Sequence, residues 1–100
     1  MIYITQLIYV KHGQESAFDE FEAIALPLIA KYNGKLLLRI RPSASAIIDA
    51  SIEHPYELHL VEFNADTDLE NFMKDEERKK FIYLKEQSIE KVVLVKGAAM

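Results

Sequence analysis

Apolar residues in this chain fall into blocks of two distinct periods, and the blocks predict its elements in order. Ile2 to Lys11 sorts with period two into Tyr3, Thr5, Leu7 and Tyr9 against Ile2, Ile4, Gln6, Ile8 and Val10. β-Branched and aromatic residues dominate it, so it reads as a strand. Both of its faces are largely apolar, which suits the middle of a sheet covered on both sides. After Gly13 the period changes: Phe18, Phe21, Ala25, Leu28 and Tyr32 recur at spacings of three and four, widened by Ala17, Ile24 and Ile29. This is an amphipathic helix with Glu15, Asp19 and Glu22 on its exposed face, kinked at Pro27 and ended by Asn33 and Gly34.

Leu36 to Arg41 predicts a second strand, with Leu36, Leu38 and Ile40 on one face and Leu37, Arg39 and Arg41 on the other. Ser43 to Pro55 carries weak signals, although Ile47 and Ile48 call for burial. Tyr56 to Phe63 is the third strand, sorting into Tyr56, Leu58, Leu60, Glu62 and Glu57, His59, Val61, Phe63. Thr67 or Asp68 is placed to cap a short helix reaching Met73, and a second run from Glu76 to Glu86 turns Phe81 and Leu84 inward. Ile89 to Lys96 is the last strand. The order βαββαβ across residues 1–100 is a single α+β domain of the ferredoxin-like, split βαβ kind: a four-stranded antiparallel sheet with helices on one face. Two helices cover only one face, yet the first strand, and less cleanly the fourth with Val92 and Leu94 opposite Val93 and Val95, are apolar on both. The expected cover for the open face is the same face of a second copy, sheet against sheet in a homodimer.

Composition narrows the partners. The chain has 100 residues, no cysteine and a net charge of −4, which excludes disulfide scaffolds, iron–sulfur clusters and thiol nucleophiles. Gln14 to Asn33 carries four acids and one base, and Asp66 to Glu86 seven acids and five bases; only Lys35 to Pro42 is basic. Nucleic acids and anionic membranes select broad basic faces, so neither is an expected partner. The apolar opening segment is too short to span a bilayer and lacks the basic residues that precede a signal sequence's apolar stretch, so a cytoplasmic location is expected.

Few residues carry candidate chemistry. His12, His54 and His59 fall on a strand end, a loop and a strand middle, so no metal site is expected. His59 is the candidate acid or base, since a sheet interior tunes an imidazole into the working range; the competing role is a buried structural histidine. Gln6 is the one polar residue on an aliphatic strand face, suited to orienting a ligand or bonding a neighbouring strand. Arg39 and Arg41 share a strand face and suit either an anionic ligand or pairing with Glu57 or Glu62. The run from Asp75 to Lys80 reads as a solvated helix face.

The stretches Pro55 to Phe63, Phe72-Met73-Lys74-Asp75 and Ile89 to Gly97, with Lys11-His12-Gly13 and Lys31-Tyr32-Asn33-Gly34-Lys35 flanking the first helix, resemble the dimeric α+β barrel superfamily. Within it the likeness is to the antibiotic biosynthesis monooxygenase-like families and their uncharacterised relatives. The resemblance implies a homodimer, a pocket between sheet and helices, and a small-molecule function such as cofactor-free monooxygenase or isomerase. His59 and Gln6 would then be catalytic, with Phe72, Ile82 and Arg39 binding. The haem-degrading branch uses an asparagine, a tryptophan and a histidine where this chain has Gln6, Phe72 and Ile82, so haem chemistry is not implied and no cofactor is expected. The alternative is a non-catalytic dimerisation or ligand-sensing module.

Overall fold

The computed structural model describes all 100 residues. Strands β1 (Ile2–Val10), β2 (Gly34–Ile40), β3 (Glu57–Phe63) and β4 (Ile89–Gly97) form one sheet in the order β2-β3-β1-β4. Every pairing is antiparallel. The two-faced apolar β1 is central, as its pattern demands. Helices α1 (Glu15–Leu28), α2 (Asp66–Met73), α3 (Glu76–Lys80) and α4 (Ile82–Ser88) complete the chain.

The inner face is set by alternation: Ile4 and Ile8 of β1, and Glu57, His59, Val61 and Phe63 of β3, are all buried. Ile4, Val61 and Phe63 pack with Ile29, Leu26 and Phe72 into one core; Ala17, Phe21 and Ala25 of α1 pack with Leu84 of α4 into another. Pro27 removes a backbone donor in the last turn of α1, and the chain goes over to a 3-10 turn at Ile29–Tyr32. Asn33 then takes the left-handed conformation at φ 60°. Gly34 is needed for a different reason: a Cβ there would sit 2.6 Å from both Ile29 Cγ2 and Phe63 Cε1.

Four features depart from the sequence pattern. A bulge between Leu36 and Leu38 breaks the alternation of β2. Leu36 opposes Val61 on the inner face, whereas Leu38 and Ile40 oppose Leu60 and Leu58 on the open face and Arg39 opposes His59 inside. Ile48 is 96% exposed rather than buried, in a loop whose ends are tied by the Tyr9 hydroxyl donating to Glu53 O at 2.8 Å and by His54 Nε2 bonding Pro42 O at 2.6 Å. Neither Thr67 nor Asp68 is the cap residue of α2: Ala65 is, and Asp68 Oδ2 accepts from its N–H at 3.1 Å. The helical run from Glu76 is broken at Phe81, whose φ of −108° is outside the helical range, so two short helices replace one.

The open face is left with Leu38, Ile40, Val93 and Val95 each more than 40% exposed, around Leu58 and Leu60. The molecule is a slab 16 Å thick. Its surface of 6317 Å² exceeds by about 500 Å² the area scaling for a chain of this mass.

Candidate functional site

A row of inner-face residues crosses the sheet in register. Arg39 of β2 opposes His59 of β3, which opposes Gln6 of β1, which opposes Leu94 of β4. Above its centre the helices leave a cleft of about 50 Å³, lined by Gln6, His59, Phe72, Glu22, Arg78 and the aliphatic core. Gln6, Glu22 and Arg78 also border an adjoining lobe of about 150 Å³ that reaches Lys85 and Leu94. Drug-sized ligands occupy roughly 300–1,000 Å³ and a cavity of roughly 150 Å³ takes benzene, so a single small ring needs the lobe as well as the cleft.

Gln6, His59 and Phe72 therefore line one cavity. Ile82 does not: it packs beside Phe81 against the Ala17, Phe21 and Leu84 cluster. Arg39 stands behind His59, where Arg39 Nε donates to Glu57 Oε2 at 2.8 Å and Arg41 Nε to Glu57 Oε1 at 2.7 Å. His59 Nε2 also bonds Glu57 Oε2, and Arg41 reaches Asp19. Burial opposes charge on Glu57, but the bonds from His59, Arg39 and Arg41 outweigh it and hold its pKa at about 2. An anionic Glu57 accepts from the His59 Nε2–H, which fixes the orientation of the ring.

Two residues of the cleft were invisible to the pattern. Glu22 belongs to the polar face of α1 by spacing, yet it is only 7% exposed and lines the cleft with His59 and Arg78. It makes no hydrogen bond within the chain. Burial pushes its carboxyl above the usual range, against the attraction of His59, Arg39 and Arg78 and with the repulsion of Glu57. Arg78, expected on a solvated helix face, is equally buried. Its guanidinium lies 5.6 Å from the Phe21 ring centre and 5.4 Å from that of Phe72. Nη1 donates to Met73 O at 3.3 Å, and Nε has no partner.

Asp75 aims Arg78 into this position. It caps α3, with Oδ1 accepting from Glu77 N at 2.9 Å and Arg78 N at 3.0 Å. Its Oδ2 accepts from the Tyr32 hydroxyl and from Lys31 Nζ at 3.0 Å. The Tyr32 bond, the Arg78 N–H and Lys31 together hold the Asp75 carboxyl well below the usual carboxylate range. The end of α1 is thereby tied to the start of α3. The chemical content of the site is an apolar cleft with one carboxamide and one imidazole on its floor, one carboxyl group and one guanidinium. A signal for the last two existed only in tertiary packing.

No helix is long and apolar enough to cross a membrane. No family model matches the chain, and no curated protein matches its sequence. Solved structures do. A protein of unknown function from Rhodopseudomonas palustris superposes with a TM-score of 0.82 at 12% identity, over 99% of this chain and 82% of that one. An uncharacterised NIPSNAP domain protein from Burkholderia xenovorans gives 0.72 at 10% identity, over 100% and 95%. A DABB family protein with a ferredoxin-like fold from Mesorhizobium loti gives 0.71 at 12% identity, over 99% and 96%. The likeness extends over the whole chain, and this protein has the ferredoxin-like α+β fold.

Proposed function

We propose that the cleft between sheet and helices binds a small organic molecule, and that the chain acts on it without a cofactor, as a monooxygenase or an isomerase. The observation that carries this reading is the convergence of Gln6, His59, Glu22 and Arg78 on one otherwise apolar cleft. A hydrophobic slot with a few convergent polar groups is the ordinary design of a small-molecule site. His59 serves as acid or base, oriented by Glu57; Gln6 orients the ligand; Phe72 stacks on it.

The functional unit in this reading is a homodimer. Leu38, Ile40, Val93 and Val95 form a patch whose exposure a monomer does not ordinarily tolerate. A depression of about 650 Å³ beside it joins apolar Ile40, Ile47, Ile52 and Leu58 to polar Asp49, Glu53 and His54, and is open enough to take a partner's side chains.

Native mass spectrometry of the protein as isolated, followed by a screen of quinols, phenols and unsaturated lactones, tests the function. A ligand retained by the parent and lost by a folded Gln6→Leu, His59→Phe double variant is the expected result. A parent that binds and turns over nothing in the screen leaves a non-catalytic dimerisation or ligand-sensing module.

A further inference from the structure

Two charged side chains in the core face the same cleft and do not pair. Arg78 is 7% exposed and has no carboxylate in ion-pair contact; Glu22, also 7% exposed, has no hydrogen-bond donor. Had the fold needed only neutralisation, the two would meet, because a buried charge without a partner costs several kcal/mol. Both instead line the same cleft and its adjoining lobe. The guanidinium lies over the rings of both Phe21 and Phe72 and bonds Met73 O through Nη1, so it is held in place before anything binds.

We infer that Glu22 is a proton-transfer base and Arg78 an oxyanion holder for a small, planar, enolisable carbonyl compound. The inference rests on the reading of the cleft as a binding site. With the carbonyl oxygen at Arg78, an α-carbon lies towards Glu22. The carboxylate takes the α-proton, and the C–H bonding pair forms a carbon–carbon double bond as the carbonyl pair moves onto oxygen. Arg78 stabilises that oxyanion. In a β,γ-unsaturated ketone the protonated Glu22 then returns the proton to the γ-carbon. The carbonyl re-forms and the remaining double bond is conjugated with it. Nothing is oxidised or reduced, and the carboxylate is regenerated. The burial that raises Glu22 makes it a stronger base than an exposed carboxylate.

Two probes separate the parts. The first is 4-nitrophenol near its own pKa, whose phenolate resembles the dienolate. The parent is expected to raise the phenolate absorption band, Arg78→Met to abolish the rise, and Arg78→Lys to weaken it while keeping the charge. Glu22→Gln should bind the phenolate more tightly, since it removes the negative charge beside the oxyanion; a merely structural glutamate would lose binding along with the fold. The second probe is 3-cyclohexen-1-one, whose conversion to the conjugated isomer is followed by ultraviolet absorption. Glu22→Gln should slow it roughly 100-fold or more. Isomerisation retained within about threefold in Glu22→Gln, or absent from a parent that binds the phenolate, overturns the base assignment and leaves the binding reading standing. Phenolate binding unaffected in both Arg78 variants overturns the oxyanion role. A parent that binds neither these probes nor any molecule in the wider screen removes the binding reading and this inference together.

Discussion

Glu22→Gln should make the protein more stable at neutral pH. The substitution keeps shape and removes charge, and Glu22 is 7% exposed without a hydrogen bond. Burial disfavours its carboxylate more than His59, Arg39 and Arg78 favour it, which is why the folded-state pKa lies above 4.5. An unpaired charged group costs more in the core than an unpaired amide by something of the order of 1 kcal/mol. For a domain of this size that corresponds to roughly 4–8 °C in Tm. The pH dependence follows from proton counts. Between the unfolded and the raised folded pKa the native state holds more protons, so the parent loses stability as pH rises through that window. The advantage of the variant is therefore full above the folded pKa of Glu22, shrinks as pH falls through it, and is gone below about 4.5, where parent and variant are both neutral. Urea unfolding of both proteins from pH 3 to pH 8 measures this. A variant less stable than the parent at neutral pH, or a gain that persists unchanged at pH 3, would refute the view of Glu22 as a buried, unpartnered acid.

Three further outcomes follow from particular contacts. Gly34→Ala forces a methyl group to within 2.6 Å of the Ile29 and Phe63 side chains, both packed in the core; thermal unfolding should show a loss of about 1–3 kcal/mol, and an unchanged Tm would mean that β2 shifts freely. Glu57→Gln strands His59 and two arginines, and because Arg39 and Arg41 remain 33% and 44% exposed the loss should be about 2–3 kcal/mol, below that for a fully buried pair. With the folded pKa depressed to about 2 from 4.5, this contribution is whole above the unfolded value and is lost as pH falls through about 2, so parent and variant should converge in acid. Leu38→Lys with Val95→Lys places two charges on the open face; light scattering coupled to size exclusion should read a dimer for the parent and a folded monomer for the variant, and a monomeric parent at micromolar concentration would refute the homodimer.

Element order and strand position were legible because each strand carries its own period-two signature. The middle place of β1 could be read from its two apolar faces, and the sorting of β3 into Glu57, His59, Val61 and Phe63 matches its buried face. The Leu37 bulge was not legible. Leu36-Leu37-Leu38 is a run of one residue type, and alternation within such a run carries no register information. The consequence was to misassign Leu38 and Ile40, which the extra residue turns to the open face. Phe81 likewise left no mark, since an aromatic residue continues a helical pattern as readily as it ends one.

The site was legible where an odd residue stood in a regular face and illegible where a regular residue stood in an odd place. Gln6 and His59 interrupt aliphatic strand faces and so attract notice. Glu22 and Arg78 sit in helix positions where charge is ordinary. They are buried because α1 lies flat on the sheet and because Asp75 locks the short α3 to the end of α1. Spacing along one helix reports which residues share a face. It does not report that a second helix will cover part of that face.

The two halves of the charged inner face are balanced in opposite ways, and the contrast argues for different roles. Behind His59, Glu57 accepts three charge-assisted bonds and Arg41 continues to Asp19 at the surface. Its buried carboxylate has every demand met, and the bulge that turns Arg39 and Arg41 inward supplies the cations. In front of His59, Glu22 makes no hydrogen bond within the chain, and Arg78 bonds Met73 O through Nη1 but leaves Nε unpartnered. Lys85 borders the adjoining lobe, yet forms no ion pair with Glu22. Incompletely bonded polar groups gathered in one cleft fit the proposed site before its ligand arrives.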